Sequence, residues 1–310
     1  MMAGDLRKKL QEILSEDVLF DEPLSRHTSL GVGGEADAVV FPRNGEELTK
    51  ILSCLKKEGT PFTPVGNGTN LIVRDGGYRG VVVSLKRFHN LGIEDDDGGR
   101  VSVHAEAGVP LAELVGLSLR EGLTGVEFCA GIPGSVGGAI RMNAGAYGRE
   151  IKDVVETITF MTINGGICHY GRGELGFSYR NLDLPPDSVI LSAHFFLPRG
   201  AREEIKKNVE TILEMRKEKH PLMYPNAGSI FKNPGSVSAG RIIDELGLKG
   251  LKIGDAMISE THGNFIVNLD KAKAKDVLAL IDVVKNKVLE ERGVVLDTEV
   301  HIIGERDDDF

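Results

Sequence analysis

Three glycine-dense stretches constrain this chain more than any other feature: Gly31-Val32-Gly33-Gly34, Gly66-Asn67-Gly68-Thr69-Asn70 and Gly131-Ile132-Pro133-Gly134-Ser135-Val136-Gly137-Gly138. Glycine has no Cβ, so such stretches permit tight turns and close backbone approach, and their N–H groups can converge on an anion. One cluster alone reads as ordinary turns, which use Gly and Asn routinely. Three clusters, two of them continued by Asn70 and by Asn143-Ala144-Gly145, point instead to a large phosphate-bearing ligand. The segment from Gly31 to Ala36 formally fits the dinucleotide pattern GxGxxG/A. Its context does not fit: polar residues 25–29 precede it and the strand-like Ala38-Val39-Val40-Phe41 follows, whereas that motif needs a buried strand before it and a helix after it. No P-loop pattern occurs either.

The remaining composition is that of a folded globular chain. Its 310 residues are 41% hydrophobic and 27% charged, enough for two or three cores of ordinary size. With 37 basic and 46 acidic residues the net charge is -9, which offers no general attraction for nucleic acid or an anionic membrane. Charges at Asp5, Arg7, Lys8, Lys9, Glu12, Glu16 and Asp17 break any signal-peptide core. No uncharged apolar run approaches the ~18 residues of a membrane span, so a soluble, cytoplasmic protein without membrane insertion is expected. A monomer or weak homo-oligomer is expected as well. Cys54, Cys129 and Cys168 are widely spaced without a CxxC pair, which argues against a disulfide framework or a zinc site and for buried thiols.

Periodicity predicts alternating helices and strands. Leu6, Leu10, Ile13 and Leu14 lie on one face of a helix over 5–16. Asn44 with Glu47 opens a second helix carrying Leu48, Ile51, Leu52 and Leu55 and stopping at Gly59. Strand-length runs surround it at 38–41 and 81–83, and further strands are expected at 101–105, 154–163 and 188–197, with a helix near 110–121. The texture changes after Pro198-Arg199-Gly200: residues 202–220 form a charged helix with Ile205, Val209, Ile212 and Leu213 on one face. Residues 271–292 form another, with Val277, Leu278, Ile281, Val284 and Val288, followed by strand-like 294–296 and 300–303 and an acidic Asp307-Asp308-Asp309 tail. The expected organisation is α+β in three consecutive parts, 1–86, 87–200 and 201–310.

The glycine clusters belong to a longer ordered set. Residues 28–36, Val65 to Leu71, Gly131 to Ala139 and Asn143 to Gly148 are followed by Tyr179-Arg180, Ala227-Gly228-Ser229-Ile230-Phe231-Lys232-Asn233-Pro234, Gly247-Leu248-Lys249-Gly250, His262-Gly263-Asn264-Phe265-Ile266-Val267-Asn268 and Glu299-Val300. This set, covering nearly the whole chain, resembles the UDP-N-acetylenolpyruvoylglucosamine reductase (MurB) family. The resemblance implies an FAD-binding fold of the vanillyl-alcohol-oxidase type, two α/β lobes cradling FAD, plus a C-terminal α+β substrate-binding domain. It also implies NADPH as reductant, a sugar-nucleotide substrate, and a role in peptidoglycan synthesis and hence cell-wall biogenesis, cell shape and division.

By the same resemblance, Gly66, Asn67, Gly68, Thr69, Asn70, Leu71, Gly131, Ile132, Pro133, Gly134, Ser135, Gly137, Gly138, Asn143, Gly145 and Ala146 would bind FAD. The 66–71 loop contains no His for a covalent flavin link, so FAD is expected to be held non-covalently. Arg180 would clamp the carboxylate on which charge develops, Glu299 would hydrogen-bond the same intermediate when protonated, and Ser229 would supply the final proton. Tyr179, Lys232 and Asn233 would contact substrate. Tyr147 fits aromatic packing or a ligand contact equally, and His262 stays outside the catalytic set. The sequence lacks an inserted tyrosine-bearing loop, as in the family's shorter subtype, and Tyr224 lies near Ser229 where it could take part of that loop's role. Two other functions suit such a flavin fold: an oxygen-using sugar or alcohol oxidase, and a nucleotide-binding regulator without redox chemistry.

Overall fold

The computed structural model describes residue 2, residues 4–96 and residues 99–306. The Asp307–Asp309 tail lies outside the described residues. Contacts divide the chain into two units rather than three consecutive parts. The first comprises Met1–Phe20, Ala38–Asn67 and Gly80–Met215; the second comprises Asp21–Asp37, Gly68–Arg79 and Arg216–Phe310. A parallel pairing accounts for the interleaving in the second unit, because Leu71–Val73 runs beside His301–Ile303 in the register Leu71 to His301 and Val73 to Ile303. Among the described residues no helix is long and apolar enough to cross a membrane.

The first unit contains α1 (Gly4–Leu14), α2 (Gly45–Lys57), α3 (Leu111–Glu121), α4 (Val136–Arg141) and most of α5 (Arg202–Lys219). The leucine spacing of α1 buries Leu6, Leu10 and Leu14. Helix α2 starts where the capping residues stand: the Asn44 side chain accepts the Glu47 N–H at 2.9 Å, and Glu47 returns to the Arg43 N–H at 2.8 Å. Its buried positions are Leu48, Ile51, Leu52 and Leu55. An antiparallel five-stranded sheet follows the order Ile167–Gly171, Val155–Met161, Val189–Pro198, Arg100–Glu106, Leu91–Asp96. In Arg100–Glu106 every second residue, Val101, Val103 and Ala105, enters the core.

The second unit places α6 (Ala239–Glu245) and α7 (Ala274–Arg292) with a three-stranded antiparallel sheet of Lys252–Ile253, Ala256–Ile258 and Ile266–Asn268. Its core joins Leu30, Val32 and Ile72 from the early segments to Ile230, Phe231, Val277, Ile281 and Val288. Gly33 and Gly34 serve this packing. A Cβ on Gly34 would run into the Asp75 carbonyl, and the Gly34 N–H donates to the Arg74 carbonyl at 3.1 Å. The first glycine cluster is therefore a close-approach turn leading into the strand Glu35–Val40, consistent with the absence of a Rossmann helix.

Four details depart from the sequence expectation. Leu213 is 45% exposed, because on a helix of 3.6 residues per turn it lies roughly 80° round from Ile205, while Ile212 stays close to that line and is half-buried. On α7 the buried stripe takes Leu280 rather than Leu278. Residues 294–296 form no strand: Leu296 turns inward, Val295 is exposed, and ladder pairing begins only where Thr298 meets Phe231. Of the three free cysteines only Cys129 is buried.

Helix α7 receives its cap from a segment far away in sequence. The carboxylate of Asp75 accepts the Ala274 N–H at 2.9 Å and the Lys275 N–H at 2.8 Å. A charged acceptor on two otherwise unpaired N–H groups at the positive end of a helix is worth about 1–2 kcal/mol. Asp75→Ala should lower the urea unfolding free energy by about that amount, with Asp75→Asn losing less because one amide oxygen can still accept.

Candidate active site

Two of the expected cofactor segments meet inside the first unit. Residues 134–137 run alongside 107–111, with Leu111 N–H donating to the Gly134 carbonyl at 3.0 Å, Val136 N–H to Val109 at 2.8 Å and Gly137 N–H to Ala107 at 2.9 Å. A Cβ on Gly137 would stand 2.7 Å from the Ala107 Cβ, so only glycine permits this approach. Ser135, buried, caps α4, and a Cβ on Gly66 would strike its Oγ. The 66–67 turn therefore rests on the 131–138 turn. Gly131 and Gly134 have φ of 69° and 138°. Among the described residues, the N–H groups of Asn67 and Gly131 donate to no protein acceptor. No Asp or Glu occurs between Cys129 and Arg149 in a chain of net charge -9. Backbone donors without nearby carboxylates fit the diphosphate of FAD.

Asn143 has another task. Buried with φ of 40°, its Nδ2 donates to Glu150 and to the Ser178 carbonyl, both at 3.0 Å, and its Oδ1 accepts the Lys152 N–H at 3.1 Å. Three protein bonds make its side chain an internal peg that joins residues 143–152 to the hairpin Gly176–Ser178/Asn181–Asp183. The loop of that hairpin is Tyr179-Arg180. Arg180 has φ of 57°, a conformation that suits glycine, and its Nη2 donates to the Gly145 carbonyl at 3.3 Å while its guanidinium lies 5.2 Å from the Tyr179 ring centre. Gly145 and Ala146 pair with Glu150 and Arg149, closed by Tyr147-Gly148 at φ of 53° and 80°, the signs of a type I′ turn. Tyr147 stands 47% exposed at that tip. Three of the six non-glycine residues with positive φ among those described, Asn143, Tyr147 and Arg180, thus gather in one place, as backbone strain tends to do at functional sites.

In the second unit Ser229, Lys232 and Glu299 lie on two chain segments bonded to each other. Phe231 pairs antiparallel with Thr298, Glu299 N–H donates to the Ile230 carbonyl at 2.8 Å, and Lys232 N–H to Asp297 at 2.9 Å. Asn226 Oδ1 accepts the Gly228 N–H at 3.0 Å, an Asx turn that leads through Gly228, φ 73°, into Ser229. Asn70 Nδ2 donates to the Glu299 carbonyl at 3.1 Å, so a residue expected at the cofactor holds the Glu299 segment. Leu71 enters the parallel ladder, and Gly68 is glycine because a Cβ would collide with the His27 carbonyl. Asn233 Oδ1 accepts the Ala239 N–H at 3.0 Å at the entry to α6. Ser229, Lys232 and Glu299 are half-buried; Asn233 and Tyr224 are exposed. Sequence reasoning missed Asn264 and Asn268, both buried with their amides bonded to backbone; the only signal was a polar residue inside an otherwise apolar run.

His220, His262 and Phe265 form an aromatic cluster in this unit, with ring centres 4.9–5.6 Å apart. Burial pushes the His220 pKa down to about 4, helped by the positive charge of Arg216 and by His262. Burial lowers that of His262 as well, with Lys249 adding to it. Folding therefore favours the neutral rings. Between pH 6.5 and about 4 the unfolded chain binds a proton at His220 that the folded chain does not, so stability falls as pH drops through that window. The difference in urea midpoint between the parent and His220→Gln should shift toward the variant on going from pH 7.5 to pH 5; a difference independent of pH would contradict this.

Comparison with known proteins identifies the family. Residues 36–171 match the FAD binding domain model, and residues 220–303 match the C-terminal domain model of UDP-N-acetylenolpyruvoylglucosamine reductase. The chain is 55% identical to the UDP-N-acetylenolpyruvoylglucosamine reductase of Syntrophus aciditrophicus over 97% of this chain and 96% of that one. It is 45% identical to the reductase of Caldanaerobacter subterraneus over 98% and 100%. The crystal structure of the Thermus caldophilus reductase superposes with a TM-score of 0.78 at 38% identity, covering 92% of this chain and 97% of that one. The expected FAD-binding fold with a C-terminal domain is thus present, and the chain, an FAD-dependent oxidoreductase, belongs to the UDP-N-acetylenolpyruvoylglucosamine reductase family.

Proposed function

We propose that the chain reduces the enolpyruvyl ether of UDP-N-acetylglucosamine enolpyruvate to UDP-N-acetylmuramate, a step in making the peptidoglycan precursor, with NADPH as electron donor. The observation that carries this reading is 55% identity to a named reductase over nearly the full length, with Arg180, Ser229 and Glu299 all present in motif order. Bound FAD supplies the hydride relay between nicotinamide and substrate. The backbone N–H groups of Asn67 and Gly131, on the two loops that meet, would hold its diphosphate. Tyr179, Lys232 and Asn233 contact the sugar nucleotide, Lys232 through attraction to its phosphates.

The remaining chemistry belongs to three side chains. Hydride addition to the terminal vinyl carbon leaves negative charge on the neighbouring carbon, delocalised into the carboxylate as an enediolate. The planar, permanently charged guanidinium of Arg180 matches that carboxylate and stabilises the charge as it develops. Protonated Glu299 donates a second hydrogen bond to it. The Ser229 hydroxyl then donates its proton to the carbanionic carbon; a weak acid suffices because the carbanion is strongly basic.

Substrate-dependent oxidation of NADPH by the FAD-loaded protein is the direct test. Turnover with oxygen and none with the enolpyruvyl substrate would favour an oxidase instead. Within the reaction, Ser229→Ala should leave FAD binding and the NADPH half-reaction nearly intact and slow the substrate half-reaction by ~10²–10⁴-fold. Equal slowing of both halves would point to a damaged Gly228-Ser229 turn. Arg180→Gly separates stability from activity. Glycine relieves the positive φ, so thermal stability should hold or rise by up to ~1 kcal/mol, while substrate reduction falls at least ~10²-fold. A variant that is both less stable and fully active would contradict the assignment.

A further inference from the structure

Ser229 lies outside any helix or regular strand, so its backbone must be fixed by something else. We propose that Asn264 is the positioning residue for Ser229, an inference that rests on the proton-donor role given to Ser229 above and extends it. The Asn264 backbone carbonyl accepts the Ile230 N–H at 2.9 Å. Its side-chain Oδ1 accepts the Phe231 N–H at 2.9 Å, and its Nδ2 donates to the Phe231 carbonyl at 2.8 Å. Three bonds from one buried residue thus bracket the two residues that follow Ser229, and the carboxamide does for Phe231 what a neighbouring strand would.

The opposite edge of the same dipeptide carries Glu299, whose N–H donates to the Ile230 carbonyl at 2.8 Å. Glu299 also has an anchor of its own, the Asn70 Nδ2 on its carbonyl at 3.1 Å, so a shift of Ile230-Phe231 displaces Ser229. Asn264 is itself held: its N–H donates to His262 Nδ1 at 3.2 Å, and Gly240 makes room for that ring, since a Cβ there would stand 2.9 Å from His262 Cε1. Only a carboxamide presents one donor and one acceptor on a planar group of this size. An aspartate would set an oxygen against the Phe231 carbonyl, and an aliphatic side chain would leave a buried N–H and C=O unmatched.

The experiment is a double-mutant cycle on the FAD-loaded enzyme with Asn264→Asp, Ser229→Ala and the two combined, each half-reaction followed separately. Misplacing a reacting group by about 1 Å can cost ~10²-fold, so Asn264→Asp should slow the substrate half-reaction by roughly 10–100-fold and leave the NADPH half-reaction within about twofold. Amide deuterium exchange over 229–232 should accelerate in the same variant. In the Ser229→Ala background the cost of Asn264→Asp should shrink below about threefold, because the group it positions is gone. A full cost retained on Ser229→Ala, or equal slowing of both halves, overturns the proposal. Slow Ser229→Ala with full-speed Asn264→Asp overturns it while leaving the role of Ser229 intact; full-speed Ser229→Ala removes that role and the proposal with it. If Asn264→Asp does not fold, Asn264→Gln, which keeps both amide atoms on a longer stem, enters the same cycle with the same expectations.

Discussion

The second unit depends on the pairing of Leu71–Val73 with His301–Ile303, because this pairing brings together segments from opposite ends of the chain. From it a continuous series of hydrogen bonds runs inward. His301 N–H donates to the Asn70 carbonyl at 3.1 Å, and Asn70 Nδ2 donates to the Glu299 carbonyl across 229 positions of sequence. Glu299 N–H then reaches Ile230, and Ile230 N–H reaches Asn264. Each bond contributes only about 1 kcal/mol net, but the ladder also buries Ile72 and Val73 completely. Loop-closure entropy grows only as the logarithm of loop length, so a chain this long can close such a contact once apolar burial supports it.

The glycine-rich loops show why residue type alone left their purpose open. Gly66 clears Ser135, Gly68 clears the His27 carbonyl, Gly34 clears Asp75 and Gly137 clears Ala107. In each case the missing Cβ makes room for protein. A phosphate-binding loop needs the same residue for a different reason, so a glycine in the sequence does not say which neighbour approaches it. What distinguishes residues 66–67 and 131–138 from the first cluster is charge: no Asp or Glu lies between Cys129 and Arg149 or between Pro61 and Arg74, whereas Glu35 directly follows Gly34.

Local features were legible and distant ones were not. Asn44 with Glu47, the leucines of α1 and the alternation in Arg100–Glu106 each encode their element within a few residues, and the structure has them where the sequence put them. The division into units was not legible, since nothing near Leu71 signals a partner at His301. Nor were the tasks of Asn143, Asn264 and Asn268, whose amides stand in for backbone partners. Asparagine is common in turns, so even Asn264 and Asn268, set in an apolar run, read as turn residues rather than as buried ones. The family motifs drew attention to His262-Gly263-Asn264 as a block, yet within it the histidine attracts the eye while the asparagine makes the bonds to Ile230 and Phe231.

The role proposed for Arg180 gives the strained hairpin tips a reason. A longer loop between Ser178 and Asn181 would let Arg180 adopt an ordinary negative φ, but it would also lengthen the tether between the charge and the ladder. In the two-residue loop observed, the strand pairs Ser178 with Asn181 and Phe177 with Leu182 stand directly beneath the arginine, with Leu182 fully buried and Asn143 bonded to the Ser178 carbonyl. The left-handed backbone costs about 1–2 kcal/mol. Transition-state stabilisation by a well-placed charge is worth more than that, and it is lost quickly when the group is loosely held. On the role proposed for Arg180, a residue at φ of 57° whose base is pinned on both sides is a small sacrifice of stability for a fixed position of charge, and Tyr147 at 53° repeats the same backbone on the hairpin whose Gly145 carbonyl accepts from Arg180.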